Sequence, residues 1–208
     1  MSKGVLTVVS GFSGAGKGTV MKRLIQKYDD YALSISVTTR KPREGERDGI
    51  EYFFKTKEEV EAMIENDEFL EYARYVDNYY GTPRFYVEEM LAKGKNVILE
   101  IEIQGALQVK KLYPEALLLF VMPPSADALK ERLVGRGTET PDVIAQRLAI
   151  SSKESQYMGG YDYLVINDQI EKSVENVHAI ISCEHYKTTR NSDTIDMIQQ
   201  DLKKFEGR

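Results

Sequence analysis

Residues 11–19 constrain the fold of this chain more than any other stretch. They read Gly11, Phe12, Ser13, Gly14, Ala15, Gly16, Lys17, Gly18 and Thr19, which fits G-x-x-x-x-G-K. A continuous apolar, β-branched run at 5–9 precedes them. Val20, Leu24 and Tyr28, flanked by Met21 and Ile25, follow as an apolar stripe at helical spacing. The pattern predicts a buried strand, a tight loop and a helix. Glycines in such a loop let successive backbone N–H groups converge on phosphate oxygens without a Cβ in the way, and the helix N-terminus adds positive potential. Lys17 is placed to reach β- and γ-phosphates. The alternative, a glycine-rich turn with no ligand, sits poorly with the full motif in its strand-to-helix setting. Gly18 stands where a metal-binding hydroxyl is usual, and Thr19 is the nearest replacement; whether it contacts the metal stays open. The loop specifies a nucleoside triphosphate and says nothing of the acceptor.

The rest of the chain alternates in the same rhythm. Short apolar runs at 97–101, 117–122 and 163–166 read as buried parallel strands. Helices are expected over 104–112, over 125–133 with Ser125 as N-cap, and around Ile170, Val174, Val177 and Ile181. This predicts an α/β fold: a parallel sheet with helices on both faces. Two stretches break the rhythm. Residues 35–94 carry strand-like pieces at 51–54 and 69–76, a helix opened by the Thr56/Glu59 capping box, and another opened by Thr82-Pro83 and stopped at Gly94. They read as an inserted mixed α+β subdomain. Residues 135–140 form a polar Gly/Thr loop between helices, the second starting at Thr140-Pro141, and read as a cover. A tail helix with Ile195, Ile198, Leu202 and Phe205 on one stripe is expected to pack on the core or to serve self-association.

Composition narrows the chemistry. With 208 residues, 42% hydrophobic and 29% charged, the chain suits one globular domain. A net charge of -5 argues against a nucleic-acid surface, so phosphate recognition must come from local clusters. One cysteine and two histidines exclude a disulfide framework and make a structural zinc site improbable. No segment reads as a signal peptide or membrane span, so a soluble cytoplasmic protein is expected. His178, His185 and Cys183 receive no role.

The segment from Ser36 to Glu46 holds Arg40 and Arg43 around Pro42, with Tyr52 further on. Two guanidinium forks and a phenol suit a terminal phosphate, because arginine grips phosphate through paired hydrogen bonds. By charge alone it reads equally as a solvated basic loop neutralised by Glu44 and Glu46.

With these residues in place, the chain resembles the guanylate kinase family. The resemblance rests on the loop, on Ser-Val-Thr-Thr-Arg-x-Pro-Arg-x-Gly-Glu at 36–46, Glu-Phe-Leu-Glu-Tyr-Ala at 68–73, Asn-Tyr-Tyr-Gly-Thr at 78–82, Gln-Gly-Ala at 104–106, Pro-Pro-Ser at 123–125 and Gly-Arg-Gly-Thr-Glu at 135–139. It spans about residues 4–186. It implies a P-loop core at about 1–34, 95–134 and 159–186, a GMP-binding subdomain at about 35–94, a helical lid at about 135–158 and a tail at 187–208. The implied reaction is transfer of the ATP γ-phosphoryl group to GMP, and to dGMP.

The resemblance also assigns roles. Glu71 would read guanine, which offers donors at N1 and N2, while Ser36 and Thr82 supply hydroxyls. Arg40, Arg43, Tyr52 and Tyr80 would hold the GMP phosphate. Glu102 stands where aspartate is expected to read the guanine amino group, and Glu100 corresponds to an acid near Mg²⁺. The metal would be held by ATP phosphates and water, with Thr19 and Glu100 as candidates. Arg136 and Arg147 would face the phosphates of both nucleotides, with Lys17 and Arg43 completing the catalytic set; Arg132 and Asn167 join the ATP side. The acceptor is an ionised phosphate oxygen, so no general base is needed, and positioning with charge neutralisation carries the reaction. A non-catalytic phosphopeptide-binding module of related fold, or a kinase for another nucleoside monophosphate, are the rival readings. Monomer or homo-oligomer is left undecided.

Overall fold

A computed structural model describes residues 3–75, 77–135, 137 and 140–206. Its elements in chain order are β1 (Leu6–Gly11), α1 (Lys17–Lys27), β2 (Tyr31–Leu33), β3 (Val37–Thr38), β4 (Phe53–Phe54), α2 (Lys57–Glu65), β5 (Phe69–Tyr75), β6 (Asn78–Pro83), α3 (Arg84–Ala92), β7 (Asn96–Glu100), α4 (Ile103–Leu112), β8 (Leu117–Met122), α5 (Ala126–Gly135), α6 (Pro141–Glu154), β9 (Tyr163–Ile166), α7 (Ile170–Glu184) and α8 (Ser192–Leu202), with 3₁₀ turns at Ser155–Gly160, Thr188–Arg190 and Lys203–Phe205.

Five strands form a parallel sheet in the order β2-β7-β1-β8-β9. β1 is central and buried throughout, which is why its sequence is continuously apolar rather than alternating. The pleat sends successive residues to opposite faces. Val9, Ile98, Leu119 and Val121 join Val20, Met21, Leu24, Val174, Val177 and Ile181 in one core. Leu6, Val8, Val97, Leu99 and Leu118 join Val87, Leu91 and Val109 in the other. Helices thus cover both faces, as the alternation predicts. Full burial of each such aliphatic side chain contributes roughly 1.5–3 kcal/mol relative to exposure.

Between β2 and β7 the chain makes a second sheet, β4-β3-β6-β5, with β3 and β4 parallel and the other pairs antiparallel. Its own core is small: Val37, Val60 and Phe69, with Phe53, Met63, Ile64 and Tyr79 packed around them. The Thr56/Glu59 capping box opens α2 with both reciprocal bonds formed. Gly94, at φ 78, closes α3, and the N–H groups of Gly94 and Lys95 bond back to Leu91 and Met90.

Several expectations need correction. The helix expected to open at Thr82-Pro83 does so one residue later, with Pro83 rather than Thr82 as the N-cap residue. Both residues end β6, paired with β5, and α3 begins at Arg84. A buried Thr82 bonded to Glu71 outweighs its capping preference. The strand expected over 51–54 shrinks to Phe53–Phe54, and that over 69–76 ends at Tyr75, Val76 lying outside the described residues. The helix expected around Ile170, Val174, Val177 and Ile181 is present as α7, with Ile170 at its exposed first position. The tail helix does not pack on the core: Ile195, Ile198, Leu202 and Phe205 are all exposed. Arg190, just before α8, donates to the carbonyls of Lys3 and Gly4 ahead of β1. No helix among the described residues is long and apolar enough to cross a membrane.

Candidate active site

The phosphate-binding loop is built from main chain and braced from below. Gly16 takes φ 87 at the N-cap of α1, and a Cβ there would lie 2.6 Å from Asn167 Nδ2. Only glycine fits both demands. α1 has no side-chain cap and no acid in its first turn, so nothing on the helix itself offsets the positive potential of its N-terminus. The Lys17 ammonium donates to the carbonyls of Gly11 (2.6 Å) and Phe12 (3.3 Å), curled over the loop it serves. Arg147, from α6, donates to Ser13 Oγ at 2.5 Å and so brings α6 onto the loop. Arg132 donates to the carbonyls of Ala15 and Asn167.

Asn167, expected on the ATP side, sits beneath the loop. Its side chain is buried, donating to the Ala15 carbonyl (2.8 Å) and accepting from Ser173 Oγ (3.1 Å). It is a strut under the loop. Beside the loop, Thr19, Lys22, Gln26, Asp168 and Ile170 line an open groove of about 700 Å³.

The second sheet gathers the acceptor-side residues. Arg40 pairs with both carboxylate oxygens of Glu46 at 2.9 Å, and its guanidinium lies over the rings of Tyr52 (5.3 Å) and Phe54 (5.8 Å). Tyr52 and Tyr80 meet edge to face, with ring centroids 6.2 Å apart. The Arg40 guanidinium first, then the Arg43 backbone N–H, hold the Glu46 carboxyl below its ordinary pKa. The Arg43 side chain is exposed. Glu46 thus occupies Arg40, as the neutralised-loop reading has it, while Glu44 is exposed. Glu71 accepts a 2.7 Å hydrogen bond from Thr82 Oγ1. Burial raises the pKa of its carboxyl, opposed by the bonds from Thr82. Ser36 is half-buried at the entry to β3, its carbonyl accepting from Phe53 N.

Between the two halves, Glu100 ends β7 close to Gly18, where a Cβ would sit 3.5 Å from its carboxylate. Although exposed to the cleft, this carboxyl is raised in pKa, by desolvation first and by Glu102 last, with Lys17 opposing. Glu102 does not share a strand face with it as the i, i+2 spacing predicts. The strand has ended, and Glu102 is the N-cap residue of α4. No cluster of three or more His, Cys, Asp or Glu side chains among the described residues forms a metal cage. Arg136 lies outside the described residues, as do Thr138 and Glu139.

Two residues given no role in the sequence reading also belong here, although Gly105 lies in the Gln-Gly-Ala motif. Glu154, at the end of α6, has a buried carboxylate oxygen without a hydrogen-bond partner. Its pKa is raised by burial and by Glu102, with Lys17 opposing, which puts it in electrostatic reach of the loop. Gly105, in α4, is the second. A Cβ on it would approach Glu71 Oε2 to 3.0 Å. Neither is visible to a linear reading, because each depends on a helix end meeting a distant strand.

A triphosphate-type loop on a parallel sheet, with an arginine- and tyrosine-lined arm inserted beside it, defines a P-loop phosphotransferase of the nucleoside monophosphate kinase class. The family model described as guanylate kinase matches residues 3–184. A guanylate kinase of Bacillus cereus (strain ZK / E33L) is 56% identical over 189 residues, 90% of this chain and 92% of that one. One of Oceanobacillus iheyensis is 51% identical over 199 residues, 96% and 97% of the two chains. The crystal structure of guanylate kinase from Anaplasma phagocytophilum matches with a TM-score of 0.69 at 32% identity, covering 91% of this chain and 90% of that one. The chain belongs to the guanylate kinase family.

Proposed function

We propose that this protein transfers the γ-phosphoryl group of ATP to GMP, and to dGMP, giving ADP and the nucleoside diphosphate, as a cytoplasmic enzyme of purine nucleotide recycling. The observation that carries this reading is the presence on one chain of a complete loop around Lys17 and a desolvated Glu71 carboxylate gripped by Thr82.

On the donor side, Lys17 exchanges the Gly11 and Phe12 carbonyls for β- and γ-phosphate oxygens, and the first-turn N–H groups of α1 face the same charge. On the acceptor side, Glu71 accepts from guanine N1–H and N2–H₂, with Ser36, Thr82 and Glu102 completing the base contacts. Arg40, Arg43, Tyr52 and Tyr80 hold the GMP phosphate. Arg147 and Arg136 neutralise charge between the two anions as the lid, about 135–158, closes and excludes water. The donor set near Gly18 fits a metal carried in with the triphosphate, because Glu100 and the Thr19 hydroxyl can bind its waters but build no cage. Bound Mg²⁺ would neutralise charge on the β- and γ-oxygens. Adenine opposite Glu71 would leave the carboxylate partly unpaired, a penalty of about 1–3 kcal/mol.

A non-catalytic binding module has no use for a loop this complete. Initial rates with GMP, dGMP, AMP and CMP at fixed Mg-ATP decide the matter. Turnover with GMP far above AMP and CMP is expected. Equal rates would remove the guanine reader, and no turnover with any acceptor would remove the enzyme.

A further inference from the structure

We propose that Gly105 is a specificity-determining residue: lacking a side chain, it leaves the space in which the Glu71 carboxylate stands against the first turn of α4. The proposal rests on the reading of Glu71 as the guanine reader.

Gly105 is the third residue of α4 and is buried. Its backbone is not in the left-handed region that would by itself call for glycine. Glycine inside a helix is unfavourable relative to alanine, so its presence here answers some other demand. The surroundings supply one. A Cβ would sit 3.0 Å from Glu71 Oε2 and 3.4 Å from Glu71 Cδ, with Ile101 Cδ1 at 3.3 Å on another side. The methyl group is therefore pinched between the carboxylate and Ile101. The carboxylate is not free to retreat, because its other oxygen holds the 2.7 Å bond from Thr82 Oγ1. Since β5 carries Glu71 and α4 belongs to the main sheet's helical layer, Gly105 sets the reader's position from across the junction between the two sheets.

Three variants test this with four readouts: kcat/KM for GMP, kcat/KM for AMP, KM for ATP and thermal unfolding. Gly105→Ala is expected to lower kcat/KM for GMP about tenfold through KM and to narrow the GMP-to-AMP ratio. KM for ATP stays unchanged and the unfolding temperature does not fall. Gly105→Ala/Glu71→Asp, whose carboxylate is one methylene shorter, regains part of the lost ratio. If Glu71→Gln narrows the ratio and Gly105→Ala does not, this proposal falls while the Glu71 reading stands. If neither changes the ratio, the Glu71 reading itself falls and takes this one with it. Equal losses for GMP and ATP, or failure of both alanine variants to fold, would show that the glycine serves packing and not selection.

Discussion

The two halves proposed to take donor and acceptor are built by different means. The donor loop uses backbone and is braced by the buried Asn167–Ser173 pair, on a five-stranded sheet with a core on each face. The proposed acceptor arm uses side chains, with Glu71 on β5 and Tyr80 on β6 and with Arg40 and Tyr52 just outside β3 and β4, around a core of three buried side chains. Main-chain recognition tolerates any base attached to the phosphates. Side-chain recognition can choose among bases, and its geometry depends on each neighbour.

The contrast is broken most severely at Lys17. Lys17→Ala should lower kcat by at least about 10²–10³-fold, the scale for losing a charge-stabilising donor. GMP affinity, measured by calorimetry, should be preserved; a parallel loss of GMP binding would mean that the halves are not separable.

Glu71→Gln should act the other way, narrowing the preference for GMP over AMP by about 10-fold or more and leaving KM for ATP alone. The same variant carries a pH signature. Burial raises the Glu71 pKa, so on acidification the carboxylate takes up its proton above the ordinary carboxyl value of 4.5. The advantage of wild type over Glu71→Gln should then shrink as pH falls through that raised value. The GMP phosphate titrates alike in both proteins and cancels. Protonation of a group whose folded pKa is raised favours folding; its stabilising effect is complete below the unfolded pKa and is lost as pH rises through the folded one. Unfolding through Glu71 would not explain the lost advantage, and a constant ratio across pH would detach Glu71 from the base.

The smallest effect is expected from Asn167→Ala. Loss of the strut leaves the Ala15 carbonyl and Ser173 short of partners, at a cost of about 1–3 kcal/mol in stability. KM for ATP should rise severalfold with KM for GMP unchanged. An equal rise in both would show that the strut supports more than the loop.

How far each half is legible in sequence follows the same division. The loop is legible because its chemistry lies in contiguous residues, and so are the local stops and starts at Thr56, Ser125 and Gly94. Glu71 stands out only through the resemblance, since a lone strand carboxylate has no local mark. The position of Glu102 could not be read from i, i+2 spacing, because spacing does not reveal where a strand ends. The bracing bond of Asn167 is not legible, because its partner Ala15 lies 152 positions away along the chain. The stripe on α8 is amphipathic as expected, but a stripe does not name its partner, and here it faces solvent.

The Glu46 carboxylate seated on Arg40 would set an admission threshold for the phosphate that Arg40 is proposed to hold. On the proposed reading, the GMP phosphate reaches Arg40 only by displacing a tethered carboxylate that is always at hand.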